Sequence, residues 1–459
     1  MATQSKSTTR WLVAGLAIGH AVQAIQLDIN DAQSIKDAAS TVACKMVSFY
    51  PGNRTGLIPG LLGDPYYWWE AGAMFGSLID YWHYTGDDSY NKITTEAMLF
   101  QVGEDIDYQP VNQTASLGND DQAFWGIAAM RAAEVKYPNP PADKPQWLAL
   151  AQAVFNRQAS RWETERCAGG LKWQIFWANK GYNYKNSISN GLFFNIAARL
   201  YAYTGNQTYA DWAVKTWDWT IDIGLLQGWN VYDGADDNLN CTKQDTTQWT
   251  YNAGIYMYGA ATMWNATQNT DMNEQWQART LGLWNRSSEI FFAGDARNIL
   301  YEVACEPGSN CEVDQLSFKG YLSRWMAVTM QVAPFMTPYI RPYLEASARG
   351  AAQSCVGEGG STCGTRWYES GWDGTTGVGQ QMCALETFQA LLHTSSPGPL
   401  SNKTGGTSEG DPSAGTGRET SVEKVAPKTI GTGDKAGAYI ITIILVGVTV
   451  GGGWFLVSG

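Results

Sequence analysis

The chain has 459 residues, with Lys plus Arg 31 against Asp plus Glu 43, a formal charge of −12. Hydrophobic residues make up 44%, enough for a sizeable core, while charged residues are 16%, well below the roughly 25% of an ordinary soluble protein. An acidic chain has no basic footprint for nucleic acid, and 13% aromatic content excludes disorder over the whole length.

Lys6 and Arg10 precede an apolar run from Trp11 to Ala24, and Val22-Gln23-Ala24 places small residues where a signal peptidase cuts. Residues 1–24 are therefore expected to be a secretory signal, with the mature chain starting near Ile25. From 25 to 394 helical periodicity fills the gaps between Gly and Pro, and strand-like alternation is scarce. A repeat is visible. Gly72-Ala-Met-Phe leads to Tyr84-Thr85-Gly86-Asp87, and Gly191-Leu-Phe-Phe leads to Tyr203-Thr204-Gly205-Asn206. A weaker copy runs from Gly254 through Trp264 to Asn269. Each unit reads as helix, tight turn, helix. About 370 residues at about 30 per helix and loop give roughly twelve helices, the number for a closed all-α (α/α)6 barrel, a toroid of six hairpins. An open superhelix is the other arrangement. A toroid gathers loops at one end, and a site belongs there.

Residues 395–435 are rich in Ser, Thr, Gly and Pro and read as a disordered linker. Ala436 to Val457 is apolar without a charge, so 436–459 fits a GPI-attachment tail, with a tail-end membrane helix as the alternative. Gly431, Gly433 and the more distant Gly415 are candidate attachment points. Sequons at Asn53, Asn112, Asn206, Asn240, Asn265, Asn285 and Asn402 agree with secretion. Eight cysteines agree with an oxidising compartment. Cys305 with Cys311 and Cys355 with Cys363 are close enough for local disulfides; Cys44 with Cys383 and Cys167 with Cys241 follow by elimination.

The residue inventory narrows the chemistry. The three histidines are His20, His83 and His393, none beside a nucleophile motif, so serine- or cysteine-based catalysis is not expected. Neither a metal site nor a cofactor is expected, and no phosphate-binding Gly-rich loop is present. Carboxylates remain, and paired carboxylates suit glycoside cleavage. An aromatic-rich, charge-poor surface suits the same ligands, neutral polar rings, although core packing accounts for most aromatics. Asp87-Asp88 reads as turn capping, and Glu104-Asp105-Ile106-Asp107 as a solvated loop run. Asp233, with Asp236-Asp237, lies in a Gly-containing loop. Asp120-Asp121 opens a helix, continuing through Glu134, whose neighbours Phe124, Trp125 and Ile127 are apolar. Burying such a pair is costly. The alternative is a capping role, with Asp120 at the N-cap and Asp121 favouring the helix dipole.

The stretch Asn119-Asp120-Asp121-Gln122-Ala123-Phe124-Trp125-Gly126 resembles the signature of glycoside hydrolase family 76, the endo-α-1,6-mannanases. Tyr67-Trp68-Trp69-Glu70, Gly170-Leu-Lys-Trp173-Gln174 and Asn183-Tyr184-Lys185-Asn186-Ser187-Ile-Ser-Asn190-Gly191 agree with it. So do the Tyr-Thr-Gly turns, over nearly all of 25–394. The signal, linker and tail resemble the fungal cell-wall branch. The resemblance implies a six-hairpin α/α barrel and retaining chemistry, with Asp120 as nucleophile and Asp121 as general acid/base. Trp69, Trp125, Tyr184 and Tyr251 are candidates for stacking on mannose rings. Lys185, Asn190, Asp233 and Asn252 are candidates for hydrogen bonds to hydroxyls. Two reactions fit: hydrolysis of mannan, or transfer of the mannose-containing GPI glycan core to a β-glucan acceptor in wall assembly. A GPI-anchored, non-catalytic mannan-binding wall protein is the competing function. Either way the protein is expected outside the cell, at the plasma membrane and wall.

Overall fold

The computed structural model describes residues 24–292, 294–416 and 431–458. Twelve helices among them form two concentric rings. The inner ring is α2 (Trp68–Thr85), α4 (Asn119–Glu134), α6 (Ser187–Thr204), α8 (Thr250–Ala266), α10 (Phe318–Val332) and α12 (Val378–Ala390). Each packs on the next, and α12 packs back on α2, so the ring is closed. The outer ring is α1 (Ala32–Ser48), α3 (Asn91–Phe100), α5 (Trp147–Ser160), α7 (Gln207–Asp222), α9 (Asn273–Phe291) and α11 (Thr337–Ser354). This is the (α/α)6 barrel expected from the repeat; the open superhelix is excluded by the α12–α2 contact.

Sequence sorts the two rings. In α4, α6, α8 and α12 nearly every residue is buried, and small residues recur. Helices buried all round belong between other elements. Outer helices such as α7 and α9 alternate buried and exposed faces. Close approach depends on glycine: a Cβ on Gly72 would lie 2.8 Å from the Trp125 ring, and one on Gly320 would lie 2.9 Å from the Cys383 backbone. The repeated turns match in detail. Gly86 (φ 80°) and Gly205 (φ 73°) end α2 and α6 in the left-handed region, each N–H donating 2.8 Å to Trp82 O or Tyr201 O. The Thr85 and Thr204 hydroxyls accept from the N–H of Asp87 and Asn206.

The chain alternates direction through the hairpins, so the N-termini of the inner helices meet at one end. Below them, buried ion pairs Arg131–Asp80 (2.5 Å), Arg199–Glu134 (2.7 Å) and Arg324–Glu386 (2.5 Å) fill the axis. At the N-terminal end, Tyr184–Asn186 pairs antiparallel with Gly234–Asp236, which pairs with Gln244–Asp245. This small sheet forms one wall.

Four expectations are corrected. Residues 395–416 are not a free linker but a strap on the barrel. Leu400 N–H donates to Glu134 O and Asn402 N–H to Ala202 O, both 2.9 Å, at the ends of α4 and α6. Ser408 Oγ then accepts from Leu148 N–H (2.9 Å), and Asn156 holds Pro412 O and Ala414 O as the strap climbs α5. Polar contacts to helix ends and outer side chains hold it, which an apolar-burial criterion misses. Of the expected disulfides, Cys167–Cys241, Cys305–Cys311 and Cys355–Cys363 are formed, but Cys44 and Cys383 are not joined. Cys44 is exposed on α1, whereas Cys383 Sγ is buried on α12, 3.3 Å from Leu316 O and Ser317 O. Asp107 is not solvated: it is buried and paired with Arg157 at 2.9 Å. Finally, α4 starts one residue earlier than expected, with Gly118 at its N-cap.

All seven sequon asparagines are exposed. Residues 1–23 of the expected signal (1–24) and 417–430 of the expected linker lie outside the described residues. α13 (Thr432–Ser458) contains Lys435–Trp454, long and apolar enough to cross a membrane.

Candidate active site

Where the inner helices begin, a cleft of ≈ 260 Å³ opens. Its floor is the first turn of α4. The cap at Gly118 has no side chain, so Asp121, three residues on, closes the turn: its Oδ2 accepts from Gly118 N–H at 2.8 Å. Asp120 lies between them, 9% exposed, with Oδ1 accepting from Asp121 N–H at 3.1 Å. The Asn186 side chain, itself the N-cap of α6, also bonds to the Asp120 carboxyl. One Asp121 oxygen therefore does capping work, yet both carboxylates line the cavity.

Burial, then the charge of Asp121, raise Asp120 well above the ordinary carboxylate range. Burial raises Asp121 to about 7, with Asp314 adding to the rise and the Gly118 bond opposing it. Two carboxyls this close, one buried and one half-buried, hold one proton between them near neutral pH, and it belongs to the pair. Asp233 faces them from the loop before Gly234. Burial raises it to about 6, against the hydroxyl of Tyr184, which donates to its Oδ2 at 2.8 Å. Trp69, Phe124, Trp173, Trp249, Tyr251 and Phe318 supply aromatic walls, with Tyr251 stacked on Phe318 at 3.9 Å. The arrangement can protonate a leaving oxygen, present a carboxylate to an electrophilic carbon, and hold neutral rings.

A family model described as glycosyl hydrolase family 76 matches residues 34–403. The chain belongs to that family. It is similar to mannan endo-1,6-alpha-mannosidase DCW1 of Eremothecium gossypii, 49% identical over 427 residues and 92% of each chain. The protein of the same name from Saccharomyces cerevisiae is 45% identical over 426 residues, 92% of this chain and 93% of that one. Among solved structures, Dfg5 from Chaetomium thermophilum in complex with glucosamine is 46% identical and has a TM-score of 0.81. It covers 85% of this chain and 97% of its own.

Within this family-76 fold, six of the ten residues singled out from sequence converge on the cleft: Asp120, Asp121, Trp69, Tyr184, Asp233 and Tyr251. Four do not. Trp125 is fully buried, stacked between Trp68 (5.2 Å) and Tyr108 (5.6 Å), because α4 turns it away from the cleft. Lys185 alternates with Tyr184 along the strand and points behind the wall. Its Nζ donates to Gly169 O (2.6 Å) and Arg166 O (2.9 Å) and pairs with Glu163 at 3.0 Å. Asn190 is buried and saturated by Leu171 and Asn186 backbone groups. Asn252 is buried behind Asp233, with Nδ2 3.4 Å from its Oδ1.

Sequence reasoning missed Asn186, Trp173, Trp249 and above all Asp314. Asp314 lies just before α10, as Asp120 lies at the start of α4, and its Oδ1 accepts from Gln315 N–H at 2.9 Å. The available signal was its place ahead of an inner helix, but an isolated Asp there reads as a cap.

Proposed function

We propose that this chain is a retaining endo-α-1,6-mannosidase of the fungal cell wall, with Asp120 as nucleophile and Asp121 as general acid/base. The observation that carries this is the adjacent Asp120 and Asp121 carboxylates on the floor of an aromatic cleft. The names of the fungal relatives support the substrate. Asp121 protonates the departing glycosidic oxygen while Asp120 attacks the anomeric carbon, forming a mannosyl-enzyme. Asp121, now ionised, takes a proton from the incoming acceptor, whose oxygen displaces Asp120 and regenerates the pair. Asp233, fixed by Tyr184 and Asn252, binds sugar hydroxyls, and Trp69 and Tyr251 flank the rings. Two carboxylates in these positions are not explained by a non-catalytic binder.

One feature favours transfer from a GPI glycan core. Four carboxylates, Asp120, Asp121, Asp233 and Asp314, line the cleft, and no lining residue is Lys or Arg. Such a field welcomes a sugar amine, and the Chaetomium relative was crystallised with glucosamine. The apolar helix Lys435–Trp454 supports a GPI-signal tail and a place outside the cell, at the membrane or wall. The deciding experiment incubates the protein with α-1,6-mannooligosaccharides, with and without a β-glucan oligosaccharide, and follows products by NMR. Retained α-products support the mechanism, and mannosylated glucan supports transfer. An inverted product, or no cleavage of these chains or of a GPI-glycan donor, refutes the reading.

A further inference from the structure

Beyond the cleft, on the far side of Tyr184, the loop 176–184 carries a second concavity of ≈ 430 Å³, lined by Trp177, Asn179, Lys180, Tyr182 and Asp236 as well as Tyr184 itself. The loop is built to stay in place. Asn179 Nδ2 donates to Gln174 Oε1 and to Thr114 O, both at 3.0 Å. Tyr182 N–H donates to Asn179 O and Tyr184 N–H to Gly181 O. Gly181 (φ 93°) lies so close to Trp173 that a Cβ there would meet its ring at 2.3 Å. Lys172 Nζ sits 4.7 Å from the centre of the Tyr182 ring. On this fixed loop Trp177 is 42% exposed. A rigid, exposed indole beside amide and hydroxyl groups is a surface for a sugar ring, since it loses little entropy when covered. Lys180 and Asp236 leave the lining with no formal net charge. Tyr184 lines both cavities, which sets the second one next to the cleft.

We propose that Trp177 and its loop form an additional subsite that holds a mannose unit of the same α-1,6-linked chain, remote from the scissile bond. It rests on the mannan reading above and adds a dependence on chain length. Binding energy gathered there orients the bond over Asp120 and Asp121.

The test is calorimetric titration of the full chain carrying Asp120→Asn with α-1,6-mannooligosaccharides from the disaccharide to the hexasaccharide. Affinity is expected to rise about tenfold once the chain reaches the subsite, as for truncatable aromatic anchors elsewhere. Adding Trp177→Ala should abolish that rise, and Trp177→Phe should keep most of it. Thermal melts report folding of each variant. A rise that survives Trp177→Ala, or no rise with length, overturns the subsite while leaving the substrate intact. Absence of binding at every length overturns the α-1,6-mannose reading and the subsite with it.

Discussion

Replacing Asp121 by Asn separates acid catalysis from structure. The amide oxygen can still accept from Gly118 N–H, so the cap at the head of α4 survives and stability should change by no more than about 1 kcal/mol at pH 5. The chemistry should not survive. Raising this carboxyl from 3.8 to about 7 corresponds to about 4 kcal/mol in favour of its protonated form, the form that donates to a leaving oxygen. Without it, kcat on α-1,6-mannan should fall about a hundred- to ten-thousand-fold. The loss should be smaller for an aryl glycoside whose leaving group departs unaided, and azide should rescue turnover with a retained α-product. The pH profile supplies a second reading. Wild-type kcat/KM should decline above about pH 7 as the carboxyl pair loses its shared proton, and the variant should lack that limb. Relieved of its neighbour's charge, Asp120 should ionise at lower pH. Stability has the same sign: a carboxyl raised in the folded state stabilises below its unfolded value, near 3.8, and that contribution is lost as pH rises through about 7. The variant should therefore lose less stability than the wild type between pH 5 and 8 in urea melts. Full activity on mannan or a GPI-glycan donor, or an unchanged basic limb, would refute the assignment.

Lys185→Met should cost about 2–3 kcal/mol in denaturant unfolding, because it strips the half-buried Glu163 of its nearer cation and two backbone carbonyls of their donor, while KM of the folded fraction stays put. Tyr184→Phe removes the donor that lowers Asp233, so Asp233 should titrate above about 6 and KM for mannan should rise about tenfold, most visibly in its pH dependence. Ser408→Ala deletes the hydroxyl that accepts from Leu148 N–H at the start of α5, where Gln146 provides no side-chain cap. It should lower stability by about 1 kcal/mol, read from a thermal melt, with no effect on kcat.

The all-helical toroid was legible in the chain because periodicity, glycine-ended helices and a repeated Tyr-Thr-Gly turn are local properties. So was the Asp120-Asp121 pair, since both carboxylates sit on one short stretch at a helix start. The partners of that pair were not local. Asp233 and Tyr184, 49 residues apart, meet because the strands beside them pair in register, and Asp314 joins them only when α10 closes the ring beside α8. Alternation along the strand decides that Tyr184 faces the cleft while Lys185 turns behind it, and helix rotation decides that Trp125 is core while Phe124 is wall. Composition described residues 395–416 as a linker, but they are ordered by hydrogen bonds to groups up to 314 residues away. Residue type and spacing determine which elements form and which chemistry is available; closure of the barrel determines which side chains share a cavity, because that depends on facing and register between segments distant in sequence.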